Sequence, residues 1–163
     1  MDDRVAYFRK GVSPLLAVAV HSGHAVRPEV ARCLKIDEQS RSREEDRFTG
    51  RWTVVADNRV ICHQSRFEFD LNRPPELAVS ATPEAAWGLD VWHAPPAEDL
   101  VAHSLARFHR FYFRLRKMIE ALLKRHPHIV VLDLHTYNHR RGGPDAAPDD
   151  PEANPEINIG TGT

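Results

Sequence analysis

His21 and His135 are the residues of this sequence best suited by type and position to hold a metal ion. Each stands at the carboxyl end of an apolar run. Leu15–Val20 leads into His21-Ser22-Gly23, and Ile129–Leu132 leads into Asp133, Leu134 and His135. Zinc takes imidazole and carboxylate ligands, and a catalytic site combines three protein ligands with a position open to water. Ten histidines in 163 residues add weight to that search. The third ligand must be a carboxylate, and Glu44, Glu45 and Asp46 lie side by side between Arg43 and Arg47. Three consecutive acids repel one another unless they are solvated or one of them meets a cation. A wet, charged helix face is the competing reading of that cluster.

Asp133 precedes His135 by two residues, so on a strand both side chains point to one side. It is suited to holding a ring N–H of a metal-bound histidine, or else it caps a neighbouring loop. His24 and His139 lie in loops beside these positions, within reach of a substrate. His63, His103, His109 and His126 read as surface or packing residues. A second constellation lies in "RFEFDLNRP", with Arg66, Asp70, Asn72 and Arg73. Guanidinium grips carboxylate through two parallel hydrogen bonds, so the stretch suits a clamp for an anionic small molecule. A strand end with an ordinary Asp70–Arg ion pair is the alternative. "HSGH" lacks the first glycine of a nucleophile elbow. "GTGT" lacks the lysine of a phosphate-binding loop.

The elements that must position these residues can be read from periodicity. Leu15–Val20 and Ile129–Leu134 are short apolar runs, expected as strands buried on both faces. Pro28 opens a short helix near 27–36. "SREEDRFTGRW" predicts a second helix, capped by Ser42, with its acids in the first turn. "RVICHQS" and "RFEFDLN" read as strands, the latter alternating Phe67 and Phe69 with Glu68 and Asp70. The proline-rich stretch 73–96 is expected to be irregular and pinned by Trp87 and Trp92. Over 97–125, Val101, Leu105, Phe108, Tyr112, Leu115, Ile119 and Leu122 recur at helical spacing, and Pro127 ends the helix. Residues 142–156 form a loop, and "EINIGTGT" starts a further strand. Alternating strands and helices predict an α/β sheet with helices on both faces, whose ligands bind at the carboxyl ends of the strands. His21 and His135 then share one rim.

The totals set outer bounds. A chain of this length suits one domain, and a net charge of -1 provides no general basic field for nucleic acid. Cys33 and Cys62 form no disulfide framework. Asp2 and Asp3 stand where a signal peptide carries basic residues, and Leu15–Val20 is too short to span a membrane. A soluble, cytoplasmic protein with no nucleic-acid or membrane partner is expected.

Taken in order, "HSG", "EED", "RFEFDLNR", "FHRFYFRL", "VLDLHTYNHRR" and "NPEINIGT" resemble the N-formylglutamate amidohydrolase family, from about Pro14 to the last residue. The family looks like a distant relative of the zinc carboxypeptidases. The resemblance implies a three-layer α/β/α sandwich with a mixed, mostly parallel sheet of the phosphorylase/hydrolase-like kind, and one zinc at the carboxyl rim. It implies His21, Asp46 and His135 as ligands, with Glu45 in reserve for Asp46. It implies that Asn72 and Arg73, with Arg66 similar in kind, hold the carboxylate of N-formyl-glutamate or a related N-acyl amino acid during amide hydrolysis. The glutamate that shuttles protons in such enzymes lies late in the chain. It is expected beyond Thr163, Glu152 and Glu156 being poorly placed among prolines. The expectation is one domain over 1–163, incomplete at its C-terminus. His139, Arg140 and Arg141 extend the last motif and bear on acid specificity. A non-catalytic binder of N-acyl amino acids and a carboxypeptidase-like peptidase are the alternative functions. Iron, cobalt and manganese also accept these ligand types.

Overall fold

The structure, a computed structural model, describes residues 5–160. Asp2, Asp3 and the closing residues 161–163 lie outside the described residues. In chain order the elements are β1 (Ala6–Arg9), β2 (Leu15–Ala19), α1 (Pro28–Ala31), α2 (Glu38–Glu44), α3 (Thr49–Trp52), β3 (Asn58–Cys62), α4 (Glu98–Leu123) and β4 (Val130–Asp133). Single 3-10 turns lie at 53–55, 75–77 and 84–86. Four strands form one mixed sheet in the order β1-β3-β2-β4. β2 runs parallel to both its neighbours, and β1 pairs antiparallel with β3. The α/β class and the mostly parallel sheet are as expected.

Strand parity explains the packing. Leu16, Val18 and Val20 share a face with Val60, Cys62 and Ala6, and this face meets Phe108, Phe111, Met118 and Leu122 of α4. Full burial of each large apolar side chain contributes roughly 1.5–3 kcal/mol. The opposite face of β2 carries Ala17 and Ala19, both fully buried. Their small side chains let α3 and the turn at 53–55 lie close on β2 and β3. At Gly50 of α3 a Cβ would stand 2.6 Å from the Ser22 hydroxyl and 3.0 Å from Ile61.

Several elements depart from the sequence reading, each for a local reason. β4 is one of the two edge strands of the described sheet, with Val130 57% and Val131 44% exposed, so its apolar run is not buried on both faces. α2 is capped by Asp37, whose carboxylate accepts from Ser40 N, and not by Ser42. Glu45 and Asp46 consequently lie just past its C-terminal end rather than in a first turn. "RFEFD" is not a strand. Phe67, Glu68, Phe69 and Asp70 are all buried, Glu68 through ion pairing with Arg27. β1 has no clear signal in the sequence, being four residues long. α4 matches its expected span closely. Stretch 73–96 is irregular apart from its two 3-10 turns. Trp92 pins it, being 7% exposed and donating to the Ser80 carbonyl at 2.7 Å. Trp87 is 54% exposed and does not join the apolar cluster of Val30, Phe67, Ala86, Val91, Trp92 and Leu100. Residues 156–160 form no strand. Among the described residues, no helix is long and apolar enough to cross a membrane, and Cys33 and Cys62 are both free.

Candidate metal centre

Sheet register brings the two histidines together. Val18 of β2 pairs with Asp133 of β4, so His21 and His135 leave adjacent parallel strands at the same rim. Their rings are 5.1 Å apart. The chain beyond β2 must then turn sharply toward β3, and Gly23 permits this. A Cβ there would fall 2.1 Å from the backbone carbonyl carbon of His63, a separation no side chain tolerates.

Asp46 arrives from the end of α2. Its N–H donates to the His21 carbonyl at 3.0 Å, and its own carbonyl accepts from Thr49 N at 3.1 Å and Thr49 Oγ1 at 2.7 Å. The carboxylate thereby faces both rings. Oδ2 lies 2.8 Å from His135 Nδ1 and 3.5 Å from His21 Nδ1, and Oδ1 accepts from Thr136 Oγ1 at 2.9 Å. The three ligand atoms of His21, Asp46 and His135 all lie within 4.8 Å of one another. A tetrahedral ion with ligands about 2.0–2.1 Å away spaces them ~3.3 Å apart, between the two separations to Asp46.

The hydrogen bonding of His21 gives this cluster its chemical sense. The side chain is 2% exposed, and Nε2 lies 2.7 Å from Asp70 Oδ1. That contact assigns the proton of the neutral ring to Nε2. Nδ1 then turns a lone pair toward the Asp46 carboxylate, and it is a buried nitrogen with no hydrogen-bond partner. The Asp46 carboxylate meets a positive charge at this point when Nδ1 carries a proton or a cation stands between the two. The donor set fits a divalent cation.

Outer carboxylates hold both rings. Asp70 supports His21, and Asp133 Oδ2 lies 3.1 Å from His135 Nε2. Both nitrogens of His135 face carboxylates, Asp133 and then Asp46 contributing most, and its pKa is raised to about 9. Burial raises the Asp46 carboxyl, but hydrogen bonding from His135 and the approach of His21 and Thr136 outweigh it and hold Asp46 well below the usual range. Asp70 behaves likewise: burial raises it, while His21 and Arg66 together bring it far down.

The neighbouring acids have other tasks. Glu45 is fully buried and bonds to Ser65 Oγ at 2.5 Å and to His24 Nδ1, with Arg41 3.8 Å away. It lies outside the cluster of His21, Asp46 and His135. Glu44 pairs with Arg43 at 3.7 Å.

The anion-clamp candidates gather around Asp70. Arg66 Nη2 donates to Asp70 Oδ2 at 2.8 Å, and Arg73 Nε lies 3.5 Å from the same oxygen. Asn72 donates its backbone N–H to Asp70 Oδ1 at 2.8 Å, and its side chain is exposed. Asp70 thus joins both arginines to His21. Sequence reasoning missed this role, and treated Asp70 only as an arginine partner. Thr136 was missed too, since hydroxyl side chains in loops carry no distinctive pattern.

Of the other candidates, His24 serves Glu45. The loop holding His139, Arg140 and Arg141 is tied to itself and to α2: the Arg140 carbonyl accepts from Arg43, Arg140 Nη1 donates to the Ala146 carbonyl at 2.6 Å, and the His139 carbonyl accepts from Asp149 N at 2.8 Å. His63, His103 and His109 are exposed, and His126 Nε2 lies 2.8 Å from the Val12 carbonyl. Glu152 and Glu156 are exposed in the closing loop.

The family model of N-formylglutamate amidohydrolase matches residues 13–163, and the chain belongs to that family. No curated protein and no solved structure matches it.

Proposed function

We propose that the chain hydrolyses the amide bond of N-formyl-glutamate or a related N-acyl amino acid, with one zinc held by His21, Asp46 and His135. The observation that carries this reading is the buried Nδ1 of His21, unpartnered and facing the Asp46 carboxylate. Family membership supplies the reaction class. When bound, a divalent cation provides Lewis acidity that activates water near neutral pH and polarises the amide carbonyl.

The chain's own residues do the rest. Asp70 and Asp133 fix the ring orientations of His21 and His135. Arg66, Arg73 and Asn72 bind the substrate's carboxylate and aim its amide at the rim, a positioning contribution. The free thiols agree with a reducing, cytoplasmic setting.

Two measurements on purified protein test this. Metal analysis should find about one zinc per chain, lost in His21→Ala and His135→Ala. The zinc-loaded protein should release formate from N-formyl-glutamate. Full zinc retention by both variants would defeat the ligand assignment. Tight binding of N-formyl-glutamate with no formate release would favour a binding module, and release of C-terminal residues from peptides a peptidase.

A further inference from the structure

Trp87 combines features that its place in the chain does not require. It follows the 3-10 turn at 84–86 with φ 55° and ψ 30°, the one non-glycine among the described residues with positive φ. Glycine and asparagine are the usual occupants of such a position, and a bulky side chain there is strained. The residue is half exposed, so hydrophobic burial does not account for the choice of tryptophan. What the indole does touch is two cations. The guanidinium carbons of Arg66 and Arg73 each lie 4.5 Å from its ring centroid.

Both arginines are also fixed at their edges. Arg66 donates to Asp70 Oδ2 and to the Glu44 carbonyl at 3.1 Å, and Arg73 Nη1 donates to the Ala85 carbonyl at 2.6 Å. A guanidinium has five N–H donors in one plane, so these bonds leave donors over. One of them, Arg66 Nε, is buried with no acceptor. Stacking uses the face of a guanidinium, whereas carboxylate binding uses its edge. The ring and an anionic ligand are therefore compatible on the same arginine.

We propose that Trp87 is a positioning residue for the substrate carboxylate: its indole holds the planes of Arg66 and Arg73 so that their remaining N–H edges meet the anion together. The inference rests on the reading of these arginines as the carboxylate clamp. Without the ring, both side chains regain rotamer freedom and water, and the anion must order them on binding. Two cation–π contacts are expected to be worth about ten-fold in affinity.

The test is calorimetric titration of L-glutamate, the product that keeps the carboxylates and is not turned over, into the zinc-loaded full chain, beside steady-state hydrolysis of N-formyl-L-glutamate, with Tm recorded for each variant. Trp87→Ala should weaken binding about ten-fold and raise KM with kcat changed less than about two-fold, and Trp87→Tyr should restore most of the affinity. Trp87→Gly relieves the positive φ, so its Tm should not fall even though it binds as weakly as Trp87→Ala. A purely structural tryptophan would lower Tm in step with binding. Wild-type affinity in Trp87→Ala, beside a loss in Arg73→Ala, would overturn the role of Trp87 and leave the clamp standing. No binding by the wild type, or no effect of Arg73→Ala, would overturn the clamp and the inference with it.

Discussion

Two regions of this small protein bury ionisable groups, and they do it in opposite ways. Under α4, Glu68 is fully buried and both its oxygens are engaged: Oε1 takes Arg27 Nε at 2.6 Å and Oε2 takes the Arg27 backbone N–H at 2.9 Å. Arg27 passes the chain of bonds on to Ser104 of α4 at 2.7 Å. At the rim, Asp46 and His21 are just as deeply buried, yet the Nδ1 of His21 has no partner. A buried polar group left unpaired costs about 1–3 kcal/mol. The paired cluster ties "RFEFD" and α1 to the long helix. The unpaired one brings two imidazoles and a carboxylate within reach of a single cation. Adjacent acids serve different clusters, Glu45 bonding to Ser65 and His24 while Asp46 faces the two rings.

The largest effects should separate these regions cleanly. Asp46→Ala should abolish both zinc retention and formate release while the chain stays folded, as read by metal analysis and circular dichroism. Arg27→Ala should do the reverse. Glu68 would keep the backbone N–H of residue 27 and Arg107 at 3.7 Å, so losing the Arg27 guanidinium should destabilise the fold toward the low end of about 3–5 kcal/mol in urea titration, with zinc per folded chain unchanged. Loss of zinc in Arg27→Ala at a permissive temperature would show that the two regions are coupled.

Smaller effects sharpen the ranking within the rim. Asp70→Asn should weaken zinc binding by roughly 10–100-fold, since Asp70 is buried and orients His21. Asp133→Asn should fall at the low end of that range, because Asp133 is 49% exposed and solvent screens its contact with His135. Competition with a chelator of known affinity measures both.

The smallest expected effect is a pH dependence. His135 in the metal-free chain has its pKa raised from 6.5 to about 9. The protonated ring therefore adds stability below pH 6.5, and that contribution disappears as pH rises through 9. Zinc must displace the same proton, so its apparent affinity should climb as the metal-free chain loses stability. Urea midpoints of the metal-free protein at both ends of the window test this. A His135→Asn variant with an unaltered profile would show that another group is titrating.

Much of this was legible in the chain because the controlling forces are local. The apolar stripe of α4 and the run of β2 follow from side-chain periodicity, and both strand-end histidines stand where parallel sheets present ligands. Asp46 was reached through family resemblance, because three adjacent acids look alike in sequence. Which one faces the rings depends on where α2 ends, and the backbone turns extended at Glu45, its C-cap. The alternation in "RFEFD" misled for a related reason. Buried Glu68 resembles a solvent-facing residue unless Arg27, 41 positions away, is known to meet it.

The sequence by itself determined the α/β class, the long helix and the histidines that end the two apolar runs, since periodicity and residue chemistry act over a few neighbours. Only the tertiary structure decided that β4 lies at the sheet edge, that Asp70 and not solvent meets His21 Nε2, and that Trp87 lies over two arginines. Those outcomes join residues far apart in the chain, and sheet order and loop closure bring them within bonding distance.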